Sequence, residues 1–417
     1  MTDELDIGSG GGERAALGAR SIATELYWIL PTPRAFVEAV AAALATERAL
    51  LLRLPAIAVT GLHRAVENAL ERVHLGATYR RWLKIEDGMN VATQIGAALG
   101  MKPISAEELA LIEQAPARAI IVEAMSGNAA RNCAEYVSRF TAALPASEPH
   151  GGARLLALIP EELEGIEPAL ANGIREIRFS GALSKEEMAA YVAVRMTERR
   201  GPANTGLLRN LVTEFAGFDA QFAEELVAFS DEALLALPLT LESLAAQADS
   251  RWRSGRWAAL CYADLSGKRM RHTLYEVQLS RHAGPEQREA EEALRRKYWR
   301  ACVRSLLPYL EEHRSSVMAP LRAALKAHAS KTGGKLVRPT LTGKRVETTS
   351  IDDVEYNQIP GLIYHEQFRV PADPKANQAV EICYAAKTVR DELAHMRAPR
   401  PEAILKMTTS MDRLLSG

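Results

Sequence analysis

Two rhythms of apolar and polar residues alternate over the first 180 positions. Short, nearly uninterrupted apolar runs occur at Ala49–Leu54 (ALLLRL), Trp82–Ile85, Ala119–Glu123 (AIIVE), Arg154–Ile159 (RLLALI) and Ile174–Phe179 (IREIRF). Between them, over 34–47, 62–73, 91–99, 106–114 and 128–143, apolar residues return every three or four positions, the spacing of one helix face. Strands that are apolar throughout and separated by helices predict an α/β fold, a parallel sheet with helices on both faces.

Beyond residue 182 the pattern is helical. Ser184 followed by Lys185, Glu186 and Glu187 supplies a cap and an acidic first turn, and further helices are expected over 205–216, 219–229 and 231–247. Residues 249–284 break the rhythm: Trp252, Trp257, Tyr262 and Tyr275 stand among Arg251, Arg253, Arg256, Lys268, Arg269 and Arg271, which reads as a connector with some hairpin character. A long helix is expected over 285–328, a basic, flexible, turn-rich stretch over 330–350, and two closing helices over 377–396 and 401–415. The expected organisation is a disordered, acidic then glycine-rich segment (1–21), an α/β domain (22–181), a helical lid (182–248), the connector (249–284) and a C-terminal α-helical bundle (285–417).

Composition narrows the function only slightly. The chain has 417 residues, 47% of them hydrophobic and 25% charged, an ordinary globular balance. Its 51 basic and 52 acidic side chains nearly cancel, so a nucleic-acid or membrane preference would have to come from a local patch. Cys133, Cys261, Cys302 and Cys383 lack CxxC spacing, which argues against a disulfide framework or zinc site and suits a reducing, cytoplasmic location. No run approaches the length of a membrane span and no histidine pair has ligand spacing; the expectation is no metal, no cofactor and no membrane.

The strand and helix order over 22–248 resembles the AAA+ and STAND branch of P-loop ATPases. In that family the first core strand leads into a glycine-rich loop ending in Gly-Lys-Ser/Thr, whose amides and lysine hold phosphates. Here ALLLRL leads into Pro55-Ala56-Ile57-Ala58-Val59-Thr60-Gly61-Leu62-His63-Arg64, with one glycine, no lysine and a proline that removes an amide donor. The third strand, where such ATPases carry an acidic pair, offers only Glu123. The resemblance therefore implies degenerate Walker motifs and a platform that does not hydrolyse ATP; an unrecognised phosphate loop is the minor alternative.

Arg390-Asp391-Glu392-Leu393-Ala394-His395 is the one cluster that reads as chemistry. Arginine, a polar residue, three further residues and histidine near the junction of two helices resemble the signature of the HEPN superfamily. That superfamily comprises small helical bundles, many of them metal-independent endoribonucleases in toxins and phage defence. The resemblance covers about 285–417 and implies catalytic roles for Arg390, Asp391 and His395. Histidine suits a base near neutral pH, and arginine suits a phosphorane's charge. Asp391, four residues before His395, shares its helix face and is expected to orient the imidazole. Arg390 and His395 lie about 140° apart around a helix. Either the helix ends at the motif or two chains pool their residues, so a homodimer or a partner protein is expected. Lys331, Lys335, Arg338, Lys344 and Arg345 form a candidate track for an RNA backbone, diluted by Asp352, Asp353 and Glu355. The competing class is a non-enzymatic scaffold that dimerises through the bundle.

Overall fold

The computed structural model of the chain describes residues 24–54, 61–73, 80–113, 119–145, 152–160, 174–197, 205–246, 262–263, 269–331, 333–334, 336–339, 345–348, 350–365 and 368–416. The expected disordered segment 1–21 and much of the connector lie outside these residues.

Five strands form where the apolar runs place them: β1 (Ala49–Leu54), β2 (Arg80–Ile85), β3 (Ala119–Ala124), β4 (Arg154–Pro160) and β5 (Arg175–Arg178). All neighbours pair in parallel, in the order β2-β3-β4-β1-β5. The connecting helices are α1 (Pro31–Thr46), before β1, then α2 (Leu62–Arg72), α3 (Val91–Ala98), α4 (Ala106–Leu111) and α5 (Gly127–Ala142). Because strand side chains alternate, Ala49, Leu51, Ile120, Val122, Leu155, Ala157 and Ile159 form one core with α3, α4 and α5. The alternate set, Leu50, Leu52, Ile121, Leu156 and Leu158, is equally buried and faces the layer of α1, which packs on β1, β4 and α2. A five-stranded parallel sheet whose inner strands β1, β3 and β4 are buried on two faces meets the α/β expectation.

The chain leaves β1 for the far edge and then steps back through β2, β3 and β4 to β5, passing over β1. With right-handed crossovers, β1 therefore sends its connection to the face opposite that used by its neighbours. This makes the carboxyl end of β1 beside β4 the switch point, where open sheets form ligand crevices. The residues next in the chain, 55–60 and 161–173, lie outside the described set.

The chain divides into two compact units, Met1–Glu187 with Asp219–Gln221, and Met188–Phe218 with Phe222–Gly417. The boundary falls inside α6 (Lys185–Arg195). In the first unit, the start of α6 is a capping box as the sequence suggests: Glu187 N donates to Ser184 Oγ at 3.2 Å and the Glu187 carboxylate accepts from Ser184 N at 2.8 Å. Its other oxygen accepts from Thr32 N, in the first turn of α1, at 2.6 Å. Burial works to raise this carboxyl, but the Thr32 and Ser184 donors outweigh it and hold it below the ordinary carboxylate value.

In the second unit the helices are α7 (Thr205–Ala216), α8 (Ala220–Val227, whose first two residues belong to the other unit), α9 (Asp231–Leu235), α10 (Leu237–Ala246), α11 (Thr273–Arg281) and α12 (Gln287–Met318). After α12 come α13 (Arg322–Lys331), α14 (Gln358–Tyr364), α15 (Pro374–Ala394) and α16 (Pro401–Ser416). The helix α12 contacts α7, α10, α11, α15 and α16 and is the spine of the unit. Glu214 of α7, 3% exposed in its side chain, accepts from Arg300 at 2.8 Å and Arg304 at 2.7 Å, one turn apart on α12. Lys297, one turn earlier, is largely covered where it meets Glu276 (2.5 Å) and Thr273 Oγ1 (2.6 Å) of α11. Burial pushes its ammonium down, against the pull of Glu276.

Four local expectations change. The helix expected over 285–328 ends at Met318, and a 3-10 turn, Ala319–Leu321, carries Pro320 before α13 resumes. The connector contains α11 as well as a two-residue strand pair, Tyr262–Ala263 with Arg269–Met270. The basic stretch 330–350 contains an antiparallel ribbon, Leu336–Pro339 with Arg345–Thr348; its brief alternation is hidden by arginines and a proline. The helix α14 was not expected, because Pro360 and Gly361 interrupt its pattern.

Replacing Glu187 with alanine should lower unfolding free energy by about 1–3 kcal/mol, the worth of part-buried hydrogen bonds to a charged acceptor. The group's folded pKa is depressed, so its contribution is full above the unfolded carboxyl pKa and fades as pH falls through the folded value. Urea titrations should accordingly give a difference between wild type and E187Q that is largest near neutrality and shrinks on acidification.

Candidate functional site

The motif lies at the carboxyl end of α15. Pro374 begins this helix, and the Asp373 carboxylate accepts from Lys375 N (3.4 Å) and Ala376 N (3.2 Å). Ala376, Ala379, Ile382, Cys383, Ala386, Val389 and Leu393 form its buried stripe. That stripe leaves Arg390 and Asp391 half-buried and His395 exposed.

The helix ends at the motif, the first of the two arrangements that its geometry requires. His395 is the C-cap residue, and Met396 turns left-handed at φ 55°. Met396 N donates to Leu393 O at 3.1 Å and Arg397 N to Glu392 O at 2.8 Å, the two bonds of a Schellman turn with methionine where glycine is usual. Met396 is the one non-glycine residue with positive φ among the described residues. The last turn is pinned from outside by Trp299 of α12, whose indole N–H donates to Leu393 O at 2.9 Å.

The three motif side chains take separate partners. The His395 ring Nδ1 lies 2.6 Å from the main-chain carbonyl of Asp391. A carbonyl only accepts, so Nδ1 carries the proton, and in the neutral ring Nε2 keeps its lone pair. The Asp391 carboxylate instead pairs with Lys387 Nζ at 2.7 Å. The expectation that the carboxylate orients the imidazole is thus corrected: Asp391 does so through its backbone, because His395 caps the turn and its ring folds back over the helix end. Arg390 Nη1 pairs with Glu355 Oε2 at 3.2 Å. Arg390 and His395 are thus engaged with different groups within one chain.

Of the expected basic track, Lys331 is exposed at the end of α13. Arg338 stands opposite Val346 and Arg345 opposite Pro339 in the ribbon, while Lys335 and Lys344 lie outside the described residues. Sequence reasoning missed Trp299 as the anchor of the motif and Glu355 as the partner of Arg390. The only local signals were an aromatic residue in a charged half-helix and an acid just after the basic stretch.

In the first unit, the segment Pro55–Thr60 lies outside the described residues. Gly61 caps α2 at φ 84°, and a Cβ there would clash with Thr24 Cγ2. Glu123 accepts from Trp82 Nε1 at 3.0 Å, and the Trp82 ring packs against His63 with centroids 4.1 Å apart. A cleft of about 430 Å³ lies between α3, α4 and α5, but Asn90, Ser105, Tyr136 and Arg139 around it are bonded within the fold. Among the described residues, no group of His, Cys, Asp or Glu could hold a metal ion, and no helix is long and apolar enough to cross a membrane. Burial pushes the Cys133, Cys302 and Cys383 thiols up to about 12, which makes them poor nucleophiles.

No protein-family model matches the chain, and a search of curated proteins also returns no match.

Glycine at position 396 should stabilise the protein by about 0.5–1 kcal/mol, since a left-handed L-residue costs about 1–2 and glycine returns part of that as chain entropy. Thermal melts should show M396G above wild type and M396V below it.

Proposed function

We propose that the chain is a metal-independent endoribonuclease of the HEPN type, borne on an AAA+-like platform that does not hydrolyse ATP, in a bacterial conflict or phage-defence role. The observation that carries this is His395, exposed, with Nδ1–H held by the Asp391 carbonyl and Nε2 left as a base. In the proposed reaction Nε2 takes the proton of a ribose 2′-hydroxyl, and the 2′-oxygen attacks the adjacent phosphorus. The bond to the 5′-oxygen breaks, and that oxygen is protonated by the imidazolium or water. The products are a 2′,3′-cyclic phosphate and a 5′-hydroxyl. Arg390 neutralises the phosphorane. Because Glu355 engages Arg390 and the Asp391 carbonyl holds His395 within one chain, the complete cleft in this reading takes Arg390 from one copy and His395 from a second, or from a partner chain. A non-hydrolysing platform is supported by Glu123, the one acid at the end of β3, whose carboxylate is engaged by the Trp82 indole.

A non-enzymatic scaffold is the second reading. It is favoured by the ion pairs Arg390–Glu355 and Lys387–Asp391, which consume motif charges within one chain.

Incubation of the full chain with tRNA or total RNA in EDTA should give fragments with 2′,3′-cyclic ends, and His395→Ala should abolish them. Asp391→Ala should be milder, because the main-chain carbonyl that holds the imidazole survives the substitution. Absence of cleavage by the wild type across the RNAs tried, with equal behaviour of H395A, selects the scaffold.

A further inference from the structure

We infer that Glu355, on the segment 350–356, is a carboxylate gate over an RNA-phosphate site centred on Arg390. The inference rests on the ribonuclease reading of the same motif and adds how that site is regulated. The segment's backbone is fixed. Val354 and Tyr356 are fully buried, and Tyr356 donates its hydroxyl proton to Leu310 O at 2.8 Å. Arg314 donates to Asp352 O at 3.0 Å and Val354 O at 3.4 Å, and the Glu355 amide donates to Gln358 Oε1 at 2.8 Å.

The side-chain contact is different in kind. Glu355 reaches Arg390 through a single 3.2 Å bond, with the two side chains 48% and 33% exposed. Next to it, Asp352 pairs with Arg322 at 2.8 Å, with side chains 70% and 45% exposed. Water-accessible pairs of this kind are weak, and a rotamer change releases each carboxylate without moving the anchored backbone. In the closed state a carboxylate occupies the guanidinium where the phosphorane charge is to form. A phosphodiester offers the same guanidinium two oxygens on a polyanion and competes for it with the added drive of counterion release. The ligand is the ribose-phosphate backbone of single-stranded RNA, since in the composite cleft proposed above the phosphate held by Arg390 is the one whose 2′-hydroxyl meets the open Nε2 of a second copy's His395.

Glu355→Gln removes the competing charge while keeping size, and Asp353→Asn makes the same change in net charge on an exposed neighbour. Fluorescence anisotropy with labelled oligouridine should show E355Q binding about threefold more tightly than wild type, the factor that an exposed ion pair can withhold. D353N should bind like wild type, and the gain should vanish when Arg390→Ala is added. Melting curves of E355Q and D353N should coincide with wild type within experimental error. The gate is overturned if E355Q gains nothing, if neither protein binds RNA, if D353N gains as much, or if the gain survives R390A. Tighter binding with no cleavage by any variant supports the gate and removes the ribonuclease; cleavage that requires His395, without the E355Q gain, does the reverse.

Discussion

Burial of charge along one helix organises the second unit. Glu214 has almost no exposure and is held by two arginines of α12 spaced a turn apart. Lys297, one turn before them, is largely enclosed by Glu276 and Thr273. Pairs of this kind contribute little net stability, but removing one partner strands a buried charge at a cost of several kcal/mol. They therefore act chiefly as registration marks, fixing which turn of α12 meets α7 and which meets α11. With that face committed, α12 offers Trp299 to α15 and Leu310 O to Tyr356.

The motif inherits its geometry from this spine. His395 stands at a helix end because the buried stripe of α15 runs out at Leu393, whose carbonyl is capped by an indole from 94 residues away. The next residue, Met396, accepts a backbone conformation that favours glycine. A strained residue beside a histidine with a defined tautomer is the arrangement expected when position matters more than local ease. The neighbouring charges Arg390, Asp391, Lys387 and Glu355 are arranged as pairs. The resting state is thus electrostatically quiet, although the segment around it is rich in arginine and lysine.

The first unit contrasts with this. Its sheet is held by apolar burial on two faces, and its few interior charges have local partners: Arg48 donates to Ala110 O and Ala153 O, and Arg53 lies 3.5 Å from Glu176 on the edge strand. Trp82 of β2, His63 of α2 and Glu123 near the end of β3 are engaged as indole, imidazole and carboxylate. The topology supplies a switch point, and the described residues around it show packing chemistry.

Much of the architecture was legible along the chain because its causes are local. Doubly apolar runs such as ALLLRL and AIIVE can be satisfied only in covered parallel strands, and Ser184 with Glu187 encodes its own helix start. The junction between the two closing helices was equally readable. Partner choice was not. Asp391 lies four residues from His395, which suggests a carboxylate–imidazole pair, yet Lys387 takes that carboxylate and the main chain takes the ring. Arg390 meets Glu355 across 35 residues of intervening chain. Periodicity reports which face of an element is buried. It carries no information about which distant charge arrives at the exposed edge, since that depends on how whole helices stack. The sequence by itself thus determined the strands, the caps and the presence of the motif. The tertiary structure alone decided that the motif's histidine is held by a carbonyl and its arginine by a remote acid.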